Sequence, residues 1–220
     1  MRKSLAVIHD GILEGRKVFG NTIKYIFMET SSNFGNMLSV AGASFFLPFL
    51  PLLPIQILLN NLLYDISQLT LSTDNVDAEY LKKPKRWNIK MIKEYMLWFG
   101  PISSVYDFLT FGLMIYVFSS SVALFRTGWF IESLFTQTLV VFVIRTKRIP
   151  FFKSRPSTPL IVSCALVLLA GLIIPFSPLH KFFGFVYTPL LFFIFLIGMV
   201  VTYMAAVEFF KSLFFKRYDL

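Results

Sequence analysis

Asn33 and Asn36 stand three residues apart, and Asn61 and Asp65 stand four apart with Tyr64 beside them. On helices, each pair projects to one side. If the two sides meet, they offer amide carbonyls and a carboxylate, the hard oxygen ligands that Mg²⁺ or Ca²⁺ prefers. Both sets lie inside apolar stretches. An aspartate at mid-membrane costs roughly 2.5–3.5 kcal/mol on insertion scales, and such residues face a bundle interior or an ion path. The asparagines have a second reading as hydrogen-bonding glue between helices. Asp65, a carboxylate placed deep in the pair of helices, favours the ligand reading.

Other polar groups carry less. Asp107 falls within a later apolar stretch, where a basic or hydroxyl neighbour would satisfy it. Glu132 is placed near the outer end of its helix, within reach of interfacial water, and Glu29 near a wet cytoplasmic end. His9 and His180 have no partner at ligand spacing. The single cysteine, Cys164, excludes an internal disulfide and argues against a thiolate metal site. The eight methionines are scattered through apolar stretches as gap-fillers. No glycine-rich phosphate loop of the Walker type occurs. An Asp-Lys-Thr-Gly sequence with its aspartyl nucleophile is also absent. No loop is long enough for a nucleotide-binding domain, so this chain alone has no route to ATP hydrolysis.

The elements that must position these residues are membrane helices. The chain of 220 residues is 56% hydrophobic and only 15% charged, with 27 phenylalanines, and several runs approach the roughly 20 apolar residues that cross a bilayer. The fold class is an all-α polytopic membrane protein with six spans. Residues 1–25 mix charges with Leu5, Ile8, Ile12, Leu13 and Val18 at amphipathic spacing, giving a cytoplasmic stalk helix rather than a signal peptide. Residues 26–71 form a helical hairpin, its arms at about Ile26–Phe49 and Pro54–Leu71, turned by Pro48, Pro51 and Pro54. A cytoplasmic loop, 72–94, contains Asp74-Asn75-Val76-Asp77. Residues 95–220 hold four more spans at about Tyr95–Phe118, Trp129–Ile144, Leu160–Phe176 and Phe185–Phe209. No internal repeat is evident, which disfavours a secondary transporter built from repeated halves.

Charge fixes the orientation. With both termini cytoplasmic, 19 of the 21 basic residues lie inside, and Arg126 and Lys181 alone lie outside. Short loops with that bias follow the positive-inside rule. The formal net charge of +9 therefore reflects membrane orientation, and no nucleic-acid partner is expected. Lys82 to Arg86 reads as an anchor of that kind.

Several stretches resemble the C-terminal membrane region of P-type ATPases: Asp10-Gly11, Glu14-Gly15-Arg16, Ser31-Ser32-Asn33-Phe34-Gly35-Asn36, Asn61-Leu62-Leu63-Tyr64-Asp65-Ile66-Ser67-Gln68 and Asp74-Asn75-Val76-Asp77. Lys83-Pro84-Lys85-Arg86-Trp87, Phe99-Gly100-Pro101-Ile102-Ser103-Ser104, Ile144-Arg145-Thr146 and Pro175-Phe176-Ser177-Pro178-Leu179 are similar to the bacterial magnesium-transporting branch. The resemblance implies that the six spans match helices five to ten of a ten-helix pump. It also implies that Asn33, Asn36, Asn61, Tyr64 and Asp65 are metal-site positions. Asn36 stands where calcium pumps place a glutamate, which suits an ion that keeps part of its water shell.

By the same resemblance, the transported ion is Mg²⁺, imported across the bacterial inner membrane. ATP acts only through phosphorylation, nucleotide and actuator domains that lie outside this chain. The partners are the lipid bilayer and the N-terminal half of the pump, with its first four helices. The alternative is a non-catalytic membrane module left by gene truncation, which only packs against other helices.

The charge asymmetry makes a topological prediction. Single cysteines at Lys85 and Ser177, in a Cys164→Ser background, label with impermeant maleimide from opposite faces of sealed vesicles. Labelling of both from outside would refute the orientation.

Overall fold

The computed structural model describes residues 5–217, and among them all regular structure is helical. Helix α1 (Leu5–Ala43) runs unbroken for 39 residues, about 60 Å, through the expected stalk and into the first apolar stretch. The first four residues of the expected stalk lie outside the described residues. The helix stops at Ala43, short of the expected Phe49. The prolines beyond it explain the stop, because each lacks an N–H and disfavours helix in the residue before it. Helix α2 (Pro54–Leu69) starts with Pro54 in its first turn, where the missing N–H costs nothing. The Gln56 side chain secures that end: Oε1 accepts from the Leu53 N–H at 2.9 Å and Nε2 donates to the Phe183 carbonyl at 2.8 Å. A tight 3₁₀ turn, Thr70–Thr73, and a short α3 (Ala78–Lys82) follow.

Helix α4 (Ile89–Gly112) is capped by the Asn88 side chain, tolerates Pro101, and widens into a π turn over Leu113–Val117. Helix α5 (Val122–Ile144) is capped by Ser121 and begins seven residues before the expected Trp129. Helix α6 (Thr158–Phe176) starts at the Ser157 cap. After a turn of helix, α7 (His180–Phe183), helix α8 (Leu190–Arg217) begins just past Pro189 and runs beyond the expected Phe209. Its extension is held by Lys211, whose buried ammonium donates to the carbonyls of Val143 and Arg148 at 3.0 and 3.1 Å. A cation there also suits the negative end of α5.

Four helices are long and apolar enough to cross a membrane: Ile89–Val117, Val122–Ile144, Thr158–Phe176 and Leu190–Arg217. The expected count of six is therefore met by four on length and composition. At 16 residues, α2 spans about 24 Å against a hydrocarbon core of about 30 Å. Helix α1 has the length but carries charges along its first half.

Helix α5 is the centre of the bundle, with seventeen of its 23 residues buried. It packs on α8, α6, α4 and α2. Helices α6 and α8 instead expose apolar side chains such as Leu166, Ile173, Ile194 and Ile197, as lipid-facing helices do. The arms of the expected hairpin splay: α1 packs along α4, whereas α2 packs on α6 and α5. An aromatic column joins α1, α4 and α8, with ring centroids 4.4 Å apart for Phe27–Tyr95, 4.2 Å for Tyr95–Phe99 and 5.3 Å for Tyr95–Phe214.

One end of the bundle is tied by Asp74. Its Oδ2 receives Lys24 Nζ at 2.9 Å and Arg145 Nε at 2.7 Å, and its Oδ1 the Ser157 N–H at 3.0 Å. Arg145 also donates to the carbonyls of Ser154, Asn75 and Arg155. Asp77 accepts from the hydroxyls of Thr146 and Ser154 at 2.6 and 2.7 Å. Burial holds the Lys24 ammonium below the usual lysine range, against the opposing pull of Asp74. Glu79 pairs with Arg148 at the exposed rim, which lowers the Glu79 carboxyl.

The α1–α4 crossing depends on Gly35 and Gly100. A Cβ on Gly35 would lie 2.9 Å from the Gly100 carbonyl oxygen and 3.1 Å from Ser103 Cβ, so the two backbones must part to admit it. Gly35→Ala is expected to cost about 1–3 kcal/mol. Gly11→Ala on the same helix, with nothing within 4 Å, should gain roughly 0.5–1 kcal/mol. Thermal unfolding in detergent distinguishes the two, and equal effects would refute the close-contact account.

Candidate functional site

The splay of α1 from α2 leaves a cleft of about 490 Å³ floored by α5. Asn33 and Asn36 of α1 line it, with Asn60 and Asn61 of α2 and with Trp129 and Ser133 of α5. Across its floor runs a chain of amides and a hydroxyl. Gln137 Nε2 donates to Asn36 Oδ1 at 2.8 Å and to Ser133 Oγ at 2.6 Å, and Asn60 Nδ2 donates to the same Ser133 Oγ at 3.2 Å. Helical spacing explains the arrangement, since Ser133 and Gln137 lie four apart on α5 and so reach both arms.

The five residues singled out in the sequence take three kinds of place. Asn33, Asn36 and Asn61 line the cleft. Asn36 is half-buried, and Asn33 is exposed with its Nδ2 donating to Glu29 Oε1 at 2.7 Å. Tyr64 is buried and lies behind the cleft, its hydroxyl 3.1 Å from Ser32 Oγ, the polar bridge between α1 and α2. Asp65 is exposed rather than enclosed by this chain. It stands one turn beyond Asn61 in an exposed stripe with Leu58, Leu62, Ile66 and Leu69. Its charge and that of Glu29 are near enough to act on each other, so the two carboxylates stand together at one end of the cleft.

Four features were not read correctly from the sequence. Asn60 and Gln137 complete the floor. Glu29, read as merely wet, is half-buried and holds Asn33. Glu132, expected within reach of interfacial water, is 1% exposed. The early start of α5 places it nearly three turns inside the helix. Asp107 does find a hydroxyl neighbour, Ser39 at 2.5 Å, and also the Trp129 indole N–H at 2.7 Å. A usable signal was the recurrence of polar residues at 132, 133, 136 and 137 inside an apolar helix, which marks one polar stripe.

Among the described residues, no three His, Cys, Asp or Glu side chains gather as a metal cluster. A cation in the cleft would meet neutral amide and hydroxyl oxygens, with carboxylates only at its end. That donor set fits a hard ion that retains water. It does not fit Cu⁺ or Zn²⁺, which favour thiolate and imidazole.

The structure is thus an all-helical bundle with lipid-type outer faces and, between α1 and α2, an open cleft in which amides and one hydroxyl stand among apolar side chains such as Met37, Val40 and Ile57. The family model described as "Cation transporting ATPase, C-terminus" matches residues 49–213, and the chain belongs to that family. It is 47% identical over 99% of its length to a "Magnesium-transporting ATPase, P-type 1" of Salmonella typhimurium, and 46% identical over 99% to the protein of that name in Escherichia coli K12. In both cases it covers 25% of the relative, so the chain spans about a quarter of the length of the curated relatives it matches.

The amide chain gives the site a stability test. Gln137→Leu leaves Asn36 Oδ1 without its donor and should cost about 1–3 kcal/mol. Gln137→Glu should cost as much, because it also removes the donor. Unfolding midpoints of the two variants check this, and a wild-type midpoint for Gln137→Leu would mean that water replaces the amide.

Proposed function

We propose that this chain forms the C-terminal part of the membrane pathway of a P-type pump that imports Mg²⁺, and that the α1–α2 cleft is its share of the cation site. The observation that carries the reading is the cleft itself, a space between two helices that pack on other partners, where four asparagines and Ser133 stand among apolar side chains. The similarity to magnesium-transporting ATPases supports the choice of ion.

In this reading all six long apolar stretches cross the bacterial inner membrane, corresponding to helices five to ten, with both termini cytoplasmic. The short α2 crosses with help from the extended segment that precedes it. Asn33, Asn36 and Asn61 exchange with part of the ion's water shell, while Asp65 supplies the charge that draws a dication in. The exposed stripe on α2 that carries Asp65 is covered by the first four helices of the pump, which encloses the carboxylate. Tyr64 ties α2 to Ser32 and holds the width of the cleft. ATP hydrolysis proceeds in domains outside this chain, and α1, continuous from the stalk to Asn36, carries their movement to the site.

Asp65→Asn keeps the shape and removes the charge. In the full-length polypeptide, it should weaken Mg²⁺-dependent phosphorylation by about tenfold to hundredfold, the range of one charged ligand contact. Asn33→Ala should do less, since water can replace a neutral ligand. Wild-type Mg²⁺ affinity and phosphorylation in Asp65→Asn would refute the assignment and favour a packing module.

A further inference from the structure

Between α5 and α6 the chain turns back on itself and presents apolar side chains at its tip. Three backbone hydrogen bonds close the turn. Phe151 N–H donates to the Ser154 carbonyl at 3.0 Å, Phe152 N–H to the Pro150 carbonyl at 2.7 Å, and Lys153 N–H to the Ile149 carbonyl at 3.0 Å. Phe151 has φ +62°, a left-handed conformation that a bulky residue rarely adopts. Its ring lies back on Phe142, 5.2 Å away between centroids. Phe142 stands inside the last turn of α5, so the turn leans toward the apolar part of the bundle. Phe152 beside it is left 90% exposed, and Ile149 is 48% exposed. The base of the turn is held: Ser154 Oγ donates to Asp77, the Ser154 carbonyl accepts from Arg145, and Arg148 pairs with Glu79.

The neighbouring helix indicates what covers that tip. Helix α6 presents Val162, Leu166, Leu169 and Ile173 outward, as a helix set against lipid chains does. Its 19 residues span about 28 Å, close to the hydrocarbon core of about 30 Å. At its far end Phe182 is 70% exposed beside an exposed Lys181. An exposed phenylalanine next to an exposed lysine thus stands at each end of a helix of bilayer length. Amphipathic rings and long cationic side chains gather at the two membrane–water interfaces. We propose that the turn between α5 and α6 is inserted into the bilayer interface. Phe152 and Ile149 lie among the upper acyl chains, and Lys153 and Arg155 meet the lipid phosphates. The partner is a lipid surface rather than a protein segment, for two reasons. The apolar tip continues the outward stripe of α6, and the exposed charges of the turn, on Lys147, Lys153 and Arg155, are all positive. Because Ser154 and the Arg155 carbonyl bind Asp77 and Arg145, the anchor sets the height of that end of the bundle against the membrane, whatever the cleft carries.

The test places p-benzoylphenylalanine at position 152 of the full-length polypeptide, reconstituted in vesicles of phosphatidylcholine and phosphatidylglycerol. The photoexcited ketone inserts into a C–H bond of whatever covers it, and the exposed position admits the larger ring without repacking. Irradiation should add the mass of one phospholipid to the peptide that bears position 152. The same group in place of Val7, exposed near the far tip of α1, should gain no lipid. A crosslink from position 152 to another part of the polypeptide, no adduct there, or equal lipid labelling at Val7 would overturn the proposal.

Discussion

The buried Asp74 carboxylate is the point on which the arrangement of helices depends. It lies in the turn that leaves α2, and it accepts from Lys24 on α1, from Arg145 at the end of α5 and from the Ser157 cap of α6. One anion therefore sets the positions of three helices relative to the segment leaving a fourth. A carboxylate so enclosed is tolerable only because two cations and a backbone N–H meet it. Removing one partner of such a group costs about 3–5 kcal/mol, since the charge left behind has no water to turn to. Lys24 on α1 and the turn leaving α2 meet at this anion, while further along the two helices lie apart, and the cleft exists because they do.

The chain separates its polar groups by kind. Asparagine amides and the Ser133 hydroxyl line the cleft together with apolar side chains. The carboxyls of Asp107 and Glu132 stand behind it, out of contact with solvent, and Asp65 and Glu29 stand at its end. Neutral oxygens hold an ion weakly enough to release it, whereas a ring of carboxylates would hold it in place. The Tyr64 hydroxyl stands apart from these groups, 3.1 Å from Ser32 Oγ.

Much of this was legible in the sequence. The apolar runs gave the all-helical membrane class, and the spacing of Asn33, Asn36 and Asn61 put them on one cleft. The misreadings have a common cause: periodicity fixes the face of a residue on its own helix but neither its depth nor its neighbour. Glu132 looked peripheral because α5 was started at Trp129. The Ser121 cap begins the helix at Val122, in a stretch whose Arg126 had suggested a loop. Asp65 sits on the face that Asn61 predicts, yet α1 and α2 diverge, so that face is not enclosed by this chain. Asn60 and Gln137 could not be paired from spacing, because the contact between them is made through Ser133, 73 residues from Asn60.

The bare contact between Gly35 and Gly100 has a mechanical meaning. Two backbones that touch without intervening side chains make a pivot about which α1 can rock against α4. The arm of α1 on the stalk side extends about 45 Å from that pivot, whereas Asn33 and Asn36 lie within about 3 Å of it along the helix axis. Such a lopsided beam has the proportions of a reduction gear: a sweep of several ångströms at the far tip would translate into an adjustment of a few tenths of an ångström at the amides. That is the scale on which an oxygen ligand is gained or lost.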